Sequence, residues 1–324
     1  MQNACVYQGC TGAAVPGDYA TIQAAVTALA PIGGTICLTA PSYTENVTGT
    51  GTAIVTIQGV SAASTMVTGE LTFNFPANLQ GFQVSGLVQI NPGVSTVACT
   101  VANMTVIGAS TVFPALSMAA NGTVTASRLV ATNGLAGLFI ADGVTVLVDG
   151  VDASGQGTAI DLDGNASKVT VQNSYIHDST AGVILYSRGD TQTLLNNTFV
   201  NAGSALRLDC TYSGNPEVVA LTYENNLFVN NAVAVSLDTH CTMDVPPLFA
   251  SNGYYGNTAN FAGTAVEGTG DVKTNPLLQT TVSPPTLGAG SPAIGAGIKS
   301  VAPATDYWGN PRGASVDLGC VQSQ

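Results

Sequence analysis

Charged side chains are scarce in this sequence, and so are aromatic ones. Only 8% of the 324 residues are charged and 6% are aromatic, with one Trp and two His in the whole chain. Intrinsic disorder requires high charge and few apolar residues, and a hydrophobic fraction of 45% therefore argues against it. Gly, Thr, Val, Ala and Asn are plentiful instead, which indicates a chain of β-strands and turns.

Basic residues are the rarest charged type. Seven Lys and Arg stand against 19 Asp and Glu, which gives a formal net charge of −12. Such a chain repels phosphate backbones and anionic lipids, so we expect neither nucleic acid nor membrane as a partner. A polyanionic substrate would need a bridging cation. No apolar run is long enough to predict a membrane span, and no signal peptide is visible.

The seven cysteines do not show the spacing of a metal site. Cys5 and Cys10 could close a small N-terminal loop, and Cys210 and Cys241 could join adjacent repeats. Disulfides would predict an exported protein, secreted or on the cell surface, whereas reduced cysteines would be small buried residues. The start Met1-Gln2-Asn3-Ala4-Cys5 is typical of an exported protein whose signal has been removed.

Small polar residues recur along the chain at nearly regular intervals of 22 to 29 residues. A period in the twenties with short alternating strands is typical of a solenoid, because one coil cannot bury its apolar side alone. Gly, Asn and Asp tolerate the backbone of a sharp turn, and Asn amides stacked about 4.8 Å apart can hydrogen-bond. The predicted ladder consists of Gly59, Gly81, Asn103, Ser127, Asp149, Asn173, Asn197 and Asn226.

Both ends of the chain resemble a known superfamily. Residues 19–26, 33–38 and 43–47 resemble the opening of right-handed parallel β-helix proteins of the pectin-lyase-like superfamily. Residues 290–297 and 306–312 are similar to the C-terminal cap of bacterial exported β-helix proteins. The resemblance implies an all-β fold, a right-handed parallel β-helix with a short N-terminal capping helix and an irregular C-terminal cap. It leaves the activity open, because this superfamily includes lyases, hydrolases, esterases, epimerases and non-catalytic adhesins.

The predicted organisation is one continuous domain in three parts. Residues 1–34 form a loop and a capping helix over 18–30, which Asp18 can cap. Residues 35–245 form the coils, and residues 246–324 form the last coils and the cap. In that cap, Asp306 and Asp317 are predicted to form an ion-pair network with Arg312.

Ionisable side chains concentrate on one predicted sheet face. In five aligned strands the first and third positions are mostly apolar and should point inward, so the second and fourth should point outward. The fourth positions are Asp142, Asp163, Arg188, Asp209 and Asp238. The second positions are Ile140, Asp161, Tyr186, Arg207 and Ser236, and Asp190 and His240 lie just beyond. Such a row suits a polysaccharide or a cell-surface glycan lying on the sheet.

Two enzymatic functions fit these residue types. In a polysaccharide lyase, Arg188 or Arg207 would neutralise a uronate carboxylate, and Asp142 and Asp163, with Asp209, would hold Ca²⁺. In a glycoside hydrolase, Asp161, Asp163 and Asp209 would supply the acid and the base. The motifs of pectate lyases, polygalacturonases and pectin methylesterases are absent from the sequence.

Two functions without catalysis also fit. In a carbohydrate-binding or adhesin-like protein, Tyr186 would stack on a sugar, and Asp190, Asp238 and His240 would bind hydroxyl groups. In a structural protein, the charged residues would only pair around turns. His177 and Asp178 are neighbours whose side chains should diverge on a strand, which predicts a turn and not a dyad.

Ice binding is a further alternative, because outward Thr ranks on regular solenoids can bind ice. Thr56, Thr100 and Thr170 share one column relative to the predicted ladder. The column is interrupted by Asn78, Val124, Val146 and Leu194, which disfavours a regular binding face.

Overall fold

The computed structural model describes residues 9–91, 98–119, 122–142, 145–155, 157–162, 168–186, 191–210, 217–218, 220–243 and 247–323. These residues form a parallel β-solenoid in which each complete coil contributes three strands to three lengthwise sheets. Each strand pairs in parallel with the equivalent strand of the coils before and after it. The all-β solenoid predicted from the sequence is confirmed.

The first sheet begins near the N-terminus and precedes the sharpest turn of each coil. Its strands are Ala13–Val15, Gly34–Leu38, Val55–Gln58, Ala77–Gln80, Cys99–Ile107, Thr123–Thr132, Thr145–Asp149, Lys168–Gln172, Thr191–Leu195, Ala220–Glu224 and Leu248–Ala250. The second sheet follows that turn and also contains the later halves of Cys99–Ile107 and Thr123–Thr132. Its other strands are Ser42–Thr44, Met66–Thr68, Gln83–Ser85, Asp152–Ala153, Tyr175–His177, Thr198–Val200, Leu227–Val229 and Gly253–Tyr255.

The third sheet completes each coil. Its strands are Val47–Thr50, Leu71–Asn74, Val88–Ile90, Leu116–Ala119, Ala136–Asp142, Thr158–Leu162, Ala181–Tyr186, Ser204–Asp209, Val233–Leu237 and Ala259–Gly263. Two minor pairs are also present: Glu217–Val218 is parallel to Thr242–Met243, and Leu278–Gln279 is antiparallel to Thr286–Leu287.

Side chains alternate between inward and outward positions along each strand, and the inward side chains form the core. In the third sheet, the inward column is aligned from coil to coil and is fully apolar where the strands pair. Each of these side chains contributes about 1.5–3 kcal/mol when it leaves water. The buried members are Val47, Leu71, Val88, Leu116, Leu138, Ile160, Val183, Leu206 and Val235.

The turn between the first and second sheets contains one residue with positive φ in each of nine consecutive coils among the described residues. A left-handed backbone favours Gly and Asn, which occupy seven of these nine positions. The positions are Gly81, Asn103, Arg128, Gly150, Asn173, Asn196, Asn225, Ser251 and Gly270.

The residue after this turn position forms the buried ladder. The side-chain oxygen of Asn197 accepts the backbone N–H of Ser174 at 3.0 Å, and Asn226 does the same for Asn197 at 3.0 Å. Asn252 continues the series with the N–H of Asn226 at 2.9 Å. An Asn ladder is therefore present in the later coils, where these Asn side chains are fully buried.

The predicted ladder mixed three neighbouring columns. Asn173 is a turn residue, whereas Asn197 and Asn226 are ladder residues, one place further along. Ser127 and Asp149 lie one place before the turn, because they pair in register with each other and with Gln172. Coils of different length conceal these offsets in the sequence.

A helix covers the N-terminal end of the solenoid. It spans Ile22–Leu29 and buries Ile22, Ala25 and Val26. Its N-cap is Thr21, whose hydroxyl accepts the N–H of Ala24, and not Asp18 as predicted. The Asp18 carboxylate instead accepts the N–H of Ala14 at 2.9 Å. No helix within the described residues is long and apolar enough to cross a membrane.

The C-terminal tail, residues 275–323, folds back along the turn and the outer side of the second sheet. The amide of Asn196 donates to the carbonyl of Asp317, and the amide of Asn225 donates to that of Ile298. Leu278 and Leu287 pack on the small apolar cluster that includes Leu227. The tail thus covers the outer side of the last coils of the second sheet.

Arg312 fixes this tail, but not through the predicted ion pairs. Its buried guanidinium donates to the side-chain oxygen of Asn173 at 3.0 Å and to the carbonyls of Gly319 and Cys320. Burial lowers the pKa of this guanidinium from its usual value. Asp306 and Asp317, also described, make no ion pair with it and instead accept backbone N–H groups.

Candidate functional site

The register of the third sheet corrects the alignment expected from the sequence. Asp161 pairs with Phe139 on one side and Ile184 on the other, and Ile184 pairs next with Arg207. Asp161 and Arg207 are therefore two strand spacings apart, about 9.5 Å between backbones. Tyr186, expected beside Arg207, lies beside Asp209. Arg207 was expected close to Asp161 or Asp209, and the structure pairs it with Asp209.

Arg207 and Asp209 form an ion pair at the end of their strand. The guanidinium Nη2 lies 2.5 Å from a carboxylate oxygen of Asp209. The Arg207 side chain is 50% exposed, whereas that of Asp209 is 8% exposed. A guanidinium has five N–H donors in a planar fork, so one buried carboxylate can orient it and leave donors for a second anion.

Asp238 and His240 form a second pair on the next coil. The imidazole Nδ1 lies 2.8 Å from Asp238 Oδ1, and the backbone N–H of His240 donates to the same oxygen at 3.0 Å. These bonds, the backbone one first, lower the pKa of the Asp238 carboxyl group. The His240 side chain is 72% exposed, and its Nε2 has no partner among the described residues. A carboxylate that holds Nδ1 fixes the tautomer that leaves Nε2 able to accept a proton.

A disulfide joins the two strand ends that hold these pairs. Cys210 follows Asp209, Cys241 follows His240, and the two cysteines are bonded with their Cα atoms 5.2 Å apart. This bond was predicted and is confirmed. The other predicted bond is wrong, because Cys10 is bonded to Cys37 and not to Cys5.

The coiled part of the chain matches one known family. Residues 114–275, half of the chain, match the family described as the right-handed β-helix region. The chain belongs to the right-handed β-helix family. No curated protein matches it significantly. The family agrees with polysaccharide-acting and polysaccharide-binding functions and leaves the substrate open.

Several predicted site residues of this right-handed β-helix lie outside the described part. Asp163, Arg188 and Asp190 are not described. The backbones of Asp142 and Tyr186 end third-sheet strands, but their side chains are not described. Their metal-binding, catalytic and substrate-binding roles stay predictions. Within the described residues, no group of three or more His, Cys, Asp or Glu side chains could hold a metal ion.

Sequence reasoning missed a cluster on the second sheet of this β-helix. His177 Nε2 lies 2.9 Å from Asp152, and His177 Nδ1 lies 2.7 Å from Asp178. The expected divergence of His177 and Asp178 is wrong, because Asp178 has a φ of 49° that turns its carboxylate back. With a carboxylate within hydrogen-bonding distance of each ring nitrogen, the protonated form of this imidazole is favoured. Asp152 also accepts the hydroxyl of Ser283, so the cluster holds the C-terminal tail.

The outward Thr column of the first sheet is longer than the sequence indicated. Val124, Val146 and Leu194 do not interrupt it, because their side chains are buried. From Asn78 to Leu248, the column lies three places before the positive-φ residue of each turn. Ice binding stays an untested alternative. The members of the column are Thr35, Thr56, Asn78, Thr100, Thr125, Leu147, Thr170, Thr193, Thr222 and Leu248.

Proposed function

We propose that this protein is an exported, polysaccharide-directed β-helix that binds a uronate-containing glycan on the outward side of the third sheet and cleaves it by β-elimination. The observation that supports this function is the position of two polar pairs on adjacent coils. One presents a half-exposed guanidinium and the other an exposed imidazole. The two disulfides are compatible with an extracellular protein.

Arg207 is the residue proposed to bind the uronate. The chain has a net charge of −12, so an acidic glycan needs a local cation to approach it. A guanidinium binds a carboxylate through two parallel N–H···O bonds, and Asp209 holds this guanidinium in place. By withdrawing charge from the uronate carboxylate, Arg207 makes the proton on the adjacent carbon more acidic.

His240 is the residue proposed to remove that proton. Its Nε2 accepts the proton from C5 of the uronate, and Asp238 stabilises the imidazolium that forms. The C5–H electron pair becomes the C4–C5 double bond while the C4–O bond breaks. Water gives a proton to the departing oxygen, and the imidazolium returns its proton to the hydroxide that is left. The products are an unsaturated uronate at one new chain end and a new reducing end on the other fragment.

Non-catalytic glycan binding is the second candidate. It is favoured by the local character of both pairs, since each joins residues two apart in the chain, as polar strand ends often do. A surface of this kind would hold sugar hydroxyl and carboxylate groups without turnover. Asp161, on the same outward column, would then be a hydrogen-bond acceptor and not a catalytic acid.

Incubation with a panel of neutral and uronic polysaccharides distinguishes these functions. Unsaturated products are read by ultraviolet absorbance and new reducing ends by a colorimetric assay, each with added Ca²⁺ and with chelator, which also tests the Ca²⁺ prediction for Asp142 and Asp163. The elimination mechanism predicts unsaturated products and a loss of roughly 10²–10⁴-fold in His240→Ala. Arg207→Ala should also lose activity, and Arg207→Lys, which keeps the charge beside Asp209, should recover part of it.

A control variant and the type of product distinguish elimination from hydrolysis and from binding alone. Lys273→Ala removes another basic residue, paired with Glu267 in the C-terminal part of the chain, and should leave activity unchanged. Reducing ends without unsaturation would indicate hydrolysis instead. Binding without any product, weakened by Arg207→Ala, would indicate the non-catalytic function. If no polysaccharide gave product or binding, and every variant were as stable and inactive as the parent, both the elimination and the non-catalytic binding function would be overturned.

A further inference from the structure

The C-terminal tail contains a pocket that is separate from the third-sheet site. Its cavity has a volume of about 400 Å³, within the range of small-molecule sites. Its apolar wall consists of Leu287, Ile294, Trp308 and Val321. Its polar lining includes Asn310, Gln322 and Ser323. The pocket and the third-sheet site share no residue, so ligand binding in the pocket does not depend on the function proposed for the third sheet.

The wall of this pocket is fixed by the contacts of the tail. Gln322 accepts the N–H of Asp317 at 3.2 Å, and its own N–H donates to Asp306 at 3.0 Å. The Asn310 amide donates to Asp306, which also accepts the Asn310 backbone N–H. A site whose polar groups are held by other residues loses little conformational entropy when a ligand binds.

Trp308 presents an unusually large apolar surface to solvent. It is the chain's one Trp, and it is 52% exposed, next to Ile294 at 40%. The ring of Tyr307 meets it edge-on at 82°, with centroids 4.9 Å apart, which limits its rotation. A large exposed aromatic beside a concave surface typically marks a binding site.

The polar side of the pocket contains hydrogen-bonding atoms that have no partner among the described residues. The Ser323 hydroxyl is buried and has no partner among the described residues. Buried polar atoms are almost always paired, so a hydroxyl without a partner in a pocket wall requires an explanation. The side-chain oxygen of Asn310 is a further acceptor that is not used in the contacts described.

The absence of charge among the described lining residues limits the chemical class of ligand that the pocket would bind. None of the described lining residues is charged, in contrast to the third-sheet site with Arg207. A sugar ring has apolar C–H faces and hydroxyl groups around its edge, which match an indole face beside amide and hydroxyl groups. We propose that this pocket binds one neutral sugar residue of a glycan, with its face on Trp308 and its hydroxyl groups toward Ser323 and Asn310.

Intrinsic fluorescence tests the proposal directly, because Trp308 is the sole Trp. The protein is titrated with glucose, galactose, mannose, xylose and N-acetylglucosamine, with short neutral oligomers of each, and with glucuronate and galacturonate for comparison. At least one should change the emission in a saturable way, with a dissociation constant in the millimolar range for a single sugar. The same titration on Arg207→Ala should give the same curve.

Variants separate a binding site from a passive surface. Calorimetry should show affinity for the selected sugar reduced roughly tenfold or more in Trp308→Ala and a smaller loss in Ser323→Ala, which removes only the hydroxyl. Phe113→Ala removes another exposed aromatic, at 57%, and should bind as the parent does. No saturable change with any neutral sugar would overturn the proposal. So would a response to glucuronate or galacturonate alone, or equal affinity in the parent and both pocket variants.

Discussion

His177 and Asp178 are neighbours in the chain, and the imidazole Nδ1 of the first lies 2.7 Å from a carboxylate oxygen of the second. The other ring nitrogen lies 2.9 Å from Asp152, which also accepts the hydroxyl of Ser283. One imidazole is thus held between two carboxylates where the tail crosses the second sheet. This arrangement ties the stability of the docked tail to pH.

The free energy of unfolding should fall between pH 5.5 and pH 8.5. Burial lowers the pKa of His177, but the bonds with Asp152 and Asp178 outweigh it, and the net pKa is raised. The stabilisation is complete below the unfolded-state pKa of about 6.5 and is lost as pH rises through the folded-state pKa.

Burial raises the pKa of Asp178, but its bonds with His177 and Asn201 outweigh this and lower it. Its stabilisation is present above about pH 4 and is lost as pH falls through the folded-state pKa.

Urea unfolding at a series of pH values checks this expectation. His177→Gln should reduce the difference between pH 5.5 and pH 8.5, because the titrating group is gone. His240→Gln is the matched control, since it removes the other imidazole and leaves the tail contacts intact. An unchanged pH dependence in His177→Gln would contradict the assignment.

Asn226→Ala should be strongly destabilising. The Asn226 side chain accepts two N–H groups of Asn197 and donates to Leu194 and Asn252, all in the buried ladder. Its loss leaves buried groups unpaired at about 1–3 kcal/mol each, so we expect a total of at least about 3 kcal/mol. Asn74→Ala, at an exposed third-sheet position, should change stability by less than about 0.5 kcal/mol. Equal effects of the two variants would show that the ladder contributes no particular stability.

Arg312→Ala should release the tail. The substitution leaves the Asn173 oxygen and the carbonyls of Gly319 and Cys320 without their donor, at about 1–3 kcal/mol for each group that stays buried. Limited proteolysis followed by mass spectrometry should show early cleavage within residues 275–323 while the coils stay intact. Lys273→Ala, which removes an exposed pair with Glu267, should keep the parent pattern. Simultaneous digestion of the whole variant would indicate that the tail does not unfold separately.

Removal of the Cys210–Cys241 disulfide should affect stability and the third-sheet site together. The bond closes a segment with a separation of 31 residues, for which the chain-entropy estimate is about 3–4 kcal/mol. The Cys10–Cys37 bond, with a separation of 27, should contribute a similar amount. Thermal unfolding of the two double Cys→Ser variants compares them, and only the Cys210/Cys241 variant should weaken glycan binding. Equal binding in both variants would show that this bond does not position Arg207 and His240.

The fold was predictable because the polar residues of the turns recur, whereas the position of each side chain was not. Coils differ in length, so a column inferred from spacing slips by one residue, as it did between Asn173 and Asn197. In a strand, a slip of one residue exchanges inside and outside. This is why Val124 and Val146 were placed in the outward Thr column although both are buried.

The candidate site was predictable in part for the same reason. The Arg207–Asp209 and Asp238–His240 pairs are local, so alternation along one strand was enough to place them on the same side. Tyr186 was misplaced because its neighbours depend on the register between coils, which puts Ile184 between Asp161 and Arg207. The Asp152–His177–Asp178 cluster depends on a positive φ at Asp178, for which an Asp after a short strand is only a weak signal.

The tail has a consequence for how the solenoid loses its structure. Repeats that contact only their neighbours can unfold one after another from an end of the solenoid. Here one segment reaches four successive coils, at Asp152, Asn173, Asn196 and Asn225. A break in any one of these coils must also detach the segment that spans the others. The second half of the molecule should therefore behave as one cooperative block, and gradual opening should be confined to the coils that the tail does not reach.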